Sequence, residues 1–273
     1  MKKPSFSTLL LVAGLAFLYL PMCTLVFYSF NASRLVTVWT GFSGKWYLEL
    51  FQDRQLMDAV WVSLRVAFFN ACMAVILGTM AAFVMARFRR FRGKTLFSGM
   101  ITAPLVMPDI ITGLSLLLVF VTLSDLIGWP VERGVLTIWI AHVTFSTSYV
   151  AVVVGSRLRE IDISIEEAAL DLGATPWKTF LMITIPSISS ALIAGWLLAF
   201  TLSLDDLVIS SFVSGPGAST LPIVIFSSVK LGVSPKINAL ATLMILFVSI
   251  AAIIGWWVIR RSKRESFSTV TLR

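Results

Sequence analysis

Six long apolar stretches, separated by short polar segments, constrain this chain more than any other feature of its sequence. They cover approximately residues 8–30, 60–86, 97–123, 135–156, 188–212 and 239–259. A helix needs roughly 20 apolar residues to cross a bilayer core about 30 Å thick. Only 13% of the 273 residues are charged, whereas a soluble domain carries roughly a quarter. The sequence therefore predicts an all-α fold, a polytopic transmembrane bundle of six helices.

The positions of the basic residues predict the orientation of this bundle. With the N-terminus inside, 15 of the 22 Lys and Arg residues fall in inner segments. Cytoplasmic loops of membrane proteins carry such an excess of Lys and Arg. Both termini and the polar segment 157–187 are therefore expected in the cytoplasm. This placement also accounts for the net charge of +8, so no nucleic-acid partner is expected.

The polar segment 157–187 contains several helix start and stop signals. Ser164 and Glu167 have the S-x-x-E spacing of a capping box. Gly173 stands where a helix ends in a left-handed residue, and a Thr-Pro pair at 175–176 provides a new N-cap followed by proline. The sequence thus predicts a helix–glycine–helix element along the cytoplasmic face. Such a rigid element suits docking into a groove of another protein.

The same segment resembles the cytoplasmic EAA loop of ABC-importer permease subunits. The family pattern is E-A-A, three residues, G, nine residues, then I-x-L-P. Here it reads Glu167-Ala168-Ala169, Gly173, Ile183, Ile185 and Pro186, with isoleucine in place of the family leucine. The resemblance implies the type I importer permease fold. It also implies that the segment couples the chain to an ATPase through Glu166, Glu167, Ala168, Ala169, Asp171 and Gly173.

The resemblance further implies the partners of the chain. These are a second, non-identical permease subunit, two copies of an ATPase subunit that bind ATP and Mg, and an external binding protein. The sequence contains no G-x-x-x-x-G-K-[ST] phosphate loop, so the chain is expected to be no ATPase and to hold no cofactor. Its two cysteines lie inside apolar stretches and are interpreted as small hydrophobic residues, so no metal site is expected.

Three acidic residues fall inside apolar stretches, where charge is costly and is a sign of function. Asp109 lies near the middle of the third stretch, and Asp205 and Asp206 lie in the outer half of the fifth. At 1.5 Å per residue, the three acids are expected at similar depth. Such acids suit a cation that has left water. The alternative for each is a structural hydrogen bond or a pairing with Arg65.

Three other residues of the membrane region have two interpretations each. His142 lies on an apolar and hydroxyl-rich stretch, where a hydrogen bond between helices is favoured over a ligand role. Trp46 and Trp129 fall in outer segments near the ends of apolar stretches. An interfacial aromatic belt explains both tryptophans, and the alternative is a cation–π surface for an incoming amine.

Longer segments narrow the resemblance to polyamine-importer permeases. They are residues 103–109, 166–176, 200–208, 212–217 and 232–235. The similarity extends over about residues 17 to 252 and is greatest to the putrescine-type second permease subunit, then to the spermidine type. For such a substrate, the path predicted from the intramembrane acids and the residues near them contains Asp109, Ser203, Asp205, Asp206, Trp46 and Trp129.

The resemblance and the acids together predict uptake of a polyamine, with putrescine as the first expectation, across the bacterial inner membrane. Residues 1–58 are expected to form the first helix and first periplasmic loop, 59–260 the core permease domain, and 261–273 a basic cytoplasmic tail. A spermidine-preferring permease is the alternative cargo assignment. An ion-coupled secondary transporter would use the acids as proton relays, but it would leave the segment 157–187 without a purpose.

Overall fold

Helices carry almost all of the regular structure in the computed structural model of this chain, which describes residues 6–35, 38–88, 90–232, 234–250 and 253. In chain order the helices are α1 (Phe6–Ser29), α2 (Lys45–Gln52), α3 (Arg54–Arg87), α4 (Lys94–Val106), α5 (Asp109–Ile127), α6 (Val135–Glu160), α7 (Ile163–Asp171), α8 (Pro176–Thr179), a π-helix (Phe180–Thr184), α9 (Ile185–Ser187), α10 (Ser189–Asp205), α11 (Val208–Val213), α12 (Leu221–Leu231) and α13 (Pro235–Ile250). Two compact units are present, residues 1–57 with 227–273, and residues 58–226. The all-α prediction is confirmed.

Four of these helices, α1, α3, α5 and α6, are long and apolar enough to cross a membrane. The segments Pro176–Ser187 and Ser189–Asp205 form a fifth candidate, bent by 71° between them. The last predicted stretch, 239–259, extends past the described residues, and only its part in α13 is seen. The described residues thus provide four or five spans, and the count of six stays a prediction.

Two predicted spans are each divided into two helices. The third stretch breaks between α4 and α5, where Met107 is extended because the following Pro108 disfavours a helical conformation before it. The fifth stretch breaks at Asp206, which is also extended, before α11 begins. Asp109 therefore opens a helix instead of lying inside one. Asp206 follows the end of α10, so the two adjacent acids do not lie in one continuous helix.

In the unit of residues 1–57 and 227–273, polar contacts organise the segment after α1. The indole N–H of Trp46 is buried and donates to the Asn31 carbonyl at 2.6 Å. The ammonium group of Lys236 in α13 lies 3.0 Å from the carboxylate of Asp53. Helix α1 has no buried residues in its most apolar window. A helix that is apolar all round and exposed suits contact with lipid.

In the unit of residues 58–226, helix α6 occupies the centre. Thirteen of its 26 residues are buried, and it contacts α4, α10 and α11. Its two ends belong to two apolar clusters. One cluster contains Ile138 and Phe145 with residues of α5 and α11, and the other contains Val150 and Val154 with alanines of α3 and α10.

Two glycines allow α3 and α10 to approach α6 at Val150. A Cβ placed on Gly78 would lie 2.8 Å from Val150 Cβ, and one on Gly195 would lie 3.2 Å from Val150 Cγ1. Real Cβ atoms do not tolerate the first distance, so α3 would have to move. The two glycines therefore determine the spacing of three packed helices.

We expect Gly78→Ala to lower the stability of the chain, because overpacking a tight contact costs about 1–3 kcal/mol. The thermal melting temperature of the purified membrane complex measures the effect. Gly99→Ala is the matched control, since a Cβ on this glycine of α4 would meet nothing within 4 Å. Equal melting of the Gly78 and Gly99 variants would contradict this account of the packing.

Candidate functional site

Helix α7 of the segment 157–187 begins with an aspartate cap. Oδ1 of Asp162 accepts a hydrogen bond from the backbone N–H of Ser164 at 3.0 Å, and the helix already begins at Ile163. The predicted capping box between Ser164 and Glu167 is therefore wrong. A carboxylate two residues earlier competes well for the same amides, since it also interacts favourably with the helix dipole. This hydrogen bond holds the pKa of the Asp162 carboxyl below its ordinary value.

The turn between α7 and α8 has the predicted glycine and the predicted second cap. Gly173 has a φ of +87°, its N–H donates to the Leu170 carbonyl, and the Ala174 N–H donates to the Ala169 carbonyl. This pair of bonds is the Schellman arrangement that ends a helix. Thr175 Oγ1 then accepts from the N–H of Lys178 at 3.4 Å. The helix–glycine–helix prediction is confirmed, and the second helical part continues through the π-helix to α9.

Glu166 connects α7 to the rest of its unit. Arg87, at the end of α3, donates to both of its carboxylate oxygens, at 2.9 Å from Nε and 2.7 Å from the terminal nitrogen. Thr184 Oγ1 of the π-helix donates to the same carboxylate at 2.9 Å. A bidentate arginine–carboxylate pair is strong and directional. The segment 157–187 is therefore held to α3 and to the start of the bent span as one rigid element.

Sequence reasoning placed Glu166 with the docking residues, and it did not single out Arg87 or Thr184. Consecutive residues of a helix point about 100° apart, so only one of Glu166 and Glu167 faces the bundle. The signal that could have identified Arg87 is the cluster of arginines at the end of α3, because a buried carboxylate such as Glu166 needs a cation as partner.

The other residues implied for coupling lie at the surface of the segment 157–187. Glu167, Ala168, Asp171 and Gly173 are exposed, and Ala169 is half-buried. Two large apolar side chains lie on the same segment, Leu172 with 89% and Trp177 with 67% of their surface exposed. Exposed apolar groups on a polar segment are typical of a surface that binds a protein.

The three acids of the apolar stretches line one cavity of about 300 Å³. Asp109 opens α5, Asp205 closes α10, and Asp206 follows it, so both helix breaks face the same space. We call this space the acidic cavity. Its further lining residues are Pro104, Thr112, Phe145, Tyr149, Leu202, Leu207, Val208 and Ile209. Phe145 and Tyr149 were missed from the sequence, because nothing separates them from the other apolar residues of α6.

The carboxylate of Asp206 is committed to hydrogen bonds within the fold. Oδ1 accepts from the N–H of Ile209 at 3.2 Å, and Oδ2 accepts from the N–H of Ser210 at 2.7 Å. Nε2 of His142 lies 3.2 Å from Oδ2. Only 8% of the Asp206 side chain is exposed. Asp206 therefore makes structural hydrogen bonds, the alternative stated above, and its partner is His142 instead of Arg65. His142 is confirmed as a residue that forms hydrogen bonds between helices.

Asp109 and Asp205 differ from Asp206 in being exposed to the cavity. Among the described residues, neither carboxylate has a hydrogen bond or ion pair with another side chain. Two carboxylates without side-chain partners beside aromatic rings have the chemistry to attract a cation, through charge and through cation–π contacts.

The remaining predicted path residues are not among those that line the cavity. Ser203 is buried, and its hydroxyl lies 2.6 Å from Nδ1 of His142. Trp129 follows α5 and is 40% exposed. Trp46 belongs to the other unit, where its indole N–H is bonded to Asn31.

Comparison with known proteins identifies the relatives of this chain. Residues 74–264 match the family described as the binding-protein-dependent transport system inner membrane component. The putrescine transport system permease protein PotI of Escherichia coli (strain K12) is 63% identical over 256 residues, which cover 94% of this chain and 91% of the relative. The spermidine/putrescine transport system permease protein PotC of the same strain is 41% identical over 250 residues, covering 92% of each chain.

A solved structure has the same fold. It is the crystal structure of a bacterial ABC transporter involved in the import of the acidic polysaccharide alginate. The TM-score is 0.70 at 16% sequence identity, and the match covers 96% of this chain and 99% of that chain. At this identity the likeness concerns the fold alone. It confirms the expected ABC-importer permease fold.

Proposed function

The chain belongs to the family of binding-protein-dependent transport system inner membrane components, and from this premise we propose that it is the permease subunit of an ATP-driven polyamine importer whose preferred cargo is putrescine. The observation that carries the cargo assignment is the 63% identity to a putrescine permease over 94% of the chain. A spermidine-preferring permease is the second candidate, supported by the 41% identity to PotC.

The acidic cavity supports a dication as cargo. Putrescine carries two ammonium groups, and each needs a compensating charge once it leaves water. Asp109 and Asp205 provide two carboxylates without other side-chain partners among the described residues. Ser203 and Asp206 lie behind them as supporting groups. We assign Trp129, which is 40% exposed after α5, to the first contact of the incoming amine. Trp46 does not fit this role, because it is 3% exposed and its ring already contacts the ammonium group of Lys45 at 4.5 Å.

The segment 157–187 has the geometry of a coupling element. The partners in this proposal are a second permease subunit, two ATPase subunits that bind ATP and Mg, and a periplasmic binding protein. The exposed residues Glu167, Ala168, Ala169, Asp171 and Gly173 would contact the ATPase. Glu166 passes the movement of α7 to α3 through Arg87. ATP binding then opens the cavity outward, and hydrolysis resets it inward.

The location follows from the same proposal. The chain lies in the inner membrane as a multi-pass protein, with both termini and the segment 157–187 in the cytoplasm. We propose residues 59–260 as the core permease domain, between the first helix with its periplasmic loop (1–58) and the basic tail (261–273), which lies outside the described residues. The excess of Lys and Arg in the inner segments supports this orientation.

Uptake of labelled putrescine into vesicles that hold the complete complex tests the function. We expect uptake to require ATP and to resist competition by unlabelled spermidine. Strong competition by spermidine would favour the second candidate. Uptake driven by an ion gradient without ATP would indicate a secondary transporter. ATP hydrolysis without uptake of either polyamine would contradict the cargo assignment.

Neutralising the two free carboxylates tests the role of the cavity. We expect Asp109→Asn and Asp205→Asn each to raise the KM for putrescine on the order of tenfold, since a lost charge contact of about 1.4 kcal/mol has that effect. The double variant should have no measurable uptake. Asp125→Asn is the control, because this exposed acid lies at the other end of α5. A normal KM in both single variants would exclude the cavity from the path.

A further inference from the structure

A buried histidine lies behind the acidic cavity. His142 of α6 has no exposed surface, and both of its ring nitrogens have partners. Nδ1 lies 2.6 Å from the hydroxyl of Ser203, and Nε2 lies 2.9 Å from the hydroxyl of Ser210 and 3.2 Å from the Asp206 carboxylate. A buried polar group without a partner is costly. Both ring nitrogens are paired, so burial of this ring leaves none of its polar atoms without a partner.

The partners of His142 lie on both sides of a helix break. Ser203 belongs to α10, Ser210 belongs to α11, and Asp206 lies between the two helices. One imidazole ring therefore joins α6 to both arms of the break. The ring, together with the bonds from Asp206 to the backbone of α11, thus ties the two arms of the break to α6.

This arrangement gives the adjacent residues Asp205 and Asp206 different roles. The Asp206 carboxylate is directed at α11 and His142, and only 8% of its side chain is exposed. Asp205 is exposed and faces the cavity that Asp109 also lines. The two residues share one stretch of backbone, so the orientation of Asp206 limits the position that Asp205 can take.

We propose that His142 is a positioning residue for cargo selection: it holds Asp206 against α11 and thereby sets the distance between the Asp205 and Asp109 carboxylates that a linear diamine must match. The inference rests on the proposed function and deepens it. The recognised feature is the number of methylene groups between two ammonium ions. Discrimination of a single methylene in a fitted site reaches roughly 10–200-fold, so the position of Asp205 is sufficient to select a chain length.

Uptake by the complete complex in vesicles tests this role with two diamines, putrescine and 1,5-diaminopentane, which is one methylene longer. We expect His142→Gln to raise the KM for putrescine on the order of tenfold and to reduce the preference for putrescine by a similar factor. A general folding defect would instead lower kcat for both diamines equally and leave the preference unchanged. That result would overturn the proposal.

A double-mutant cycle tests whether His142 acts through Asp206. We expect Asp206→Asn combined with His142→Gln to have the same KM and the same preference as Asp206→Asn alone, because residues of one network are not additive. If the two substitutions change KM and the preference by independent factors that multiply in the double variant, the proposal is overturned. If the wild-type complex takes up neither diamine, the proposed function fails. If the wild type prefers putrescine and the cycle is additive, only the role of His142 fails.

Two further variants complete the experiment. Thr144→Ala is the control, since this exposed residue of α6 bonds, within the described part of the chain, to the Ile140 carbonyl of its own helix alone. It should keep the wild-type preference. Should the His142 variant not assemble, Ser203→Ala removes only the Nδ1 partner and should lower the preference to a smaller extent. An unchanged preference in an assembled Ser203 variant would overturn the proposal.

Discussion

Glu166→Gln is expected to destabilise the complex by about 3 kcal/mol, the lower end of the range for removing one partner of a buried ion pair. Only 11% of the Glu166 side chain and 13% of the Arg87 side chain are exposed. The glutamine would leave the guanidinium without a compensating charge. ATP-driven uptake should be lost as well, because α7 would no longer be fixed to α3. Thermal melting and uptake of the reconstituted complex measure the two effects.

The control for this variant is a surface ion pair on the same side of the protein. Glu160 lies 2.7 Å from Arg157, and the two side chains are 63% and 47% exposed. Exposed pairs contribute about 0–1 kcal/mol, so Glu160→Gln should change neither melting nor uptake noticeably. The double variant Arg87→Gln with Glu166→Gln should lose less stability than the sum of the single variants. Equal melting of the Glu160 and Glu166 variants would refute the buried link.

Gly173→Asp is expected to abolish ATP-driven uptake while the chain still inserts into the membrane. A non-glycine residue in the left-handed conformation costs roughly 1–2 kcal/mol, which an assembled bundle tolerates. A Cβ on Gly173 would meet nothing within 4 Å in the chain itself, so the expected loss comes from the surface offered to the ATPase. Uptake and membrane insertion are measured on the same vesicles.

Gly93 provides a matched control for the backbone effect. It has the same φ of +87°, and its Cβ would also meet nothing within 4 Å, but it precedes α4. Gly93→Asp carries the same strain and the same added charge at another exposed turn. Uptake should therefore persist in this variant. Normal uptake by an assembled Gly173 variant, or equal loss in both, would exclude the docking role of this turn.

Local sequence signals were sufficient to predict much of the fold and, within the candidate site, the helix–glycine–helix element of the segment 157–187. The turn at Gly173 and the cap at Thr175 depend on residues within a few positions, so the sequence predicted both. The cap of α7 was misassigned to Ser164 because Asp162 offers a competing acceptor two residues earlier. The break at Asp206 was missed for a related reason, since its cause is a side chain that accepts from backbone groups of α11.

The sequence by itself determined that this chain is a helical membrane protein, which family it resembles, and which acids lie within its apolar stretches. These properties depend on composition, local periodicity and short motifs. Only the tertiary structure decided which carboxylates are paired with another side chain and which are not. Glu166 meets Arg87 across 79 positions and Asp206 meets His142 across 64. Adjacent acids have identical local signals, so packing against distant helices alone distinguishes the buried, paired carboxylate from its exposed neighbour.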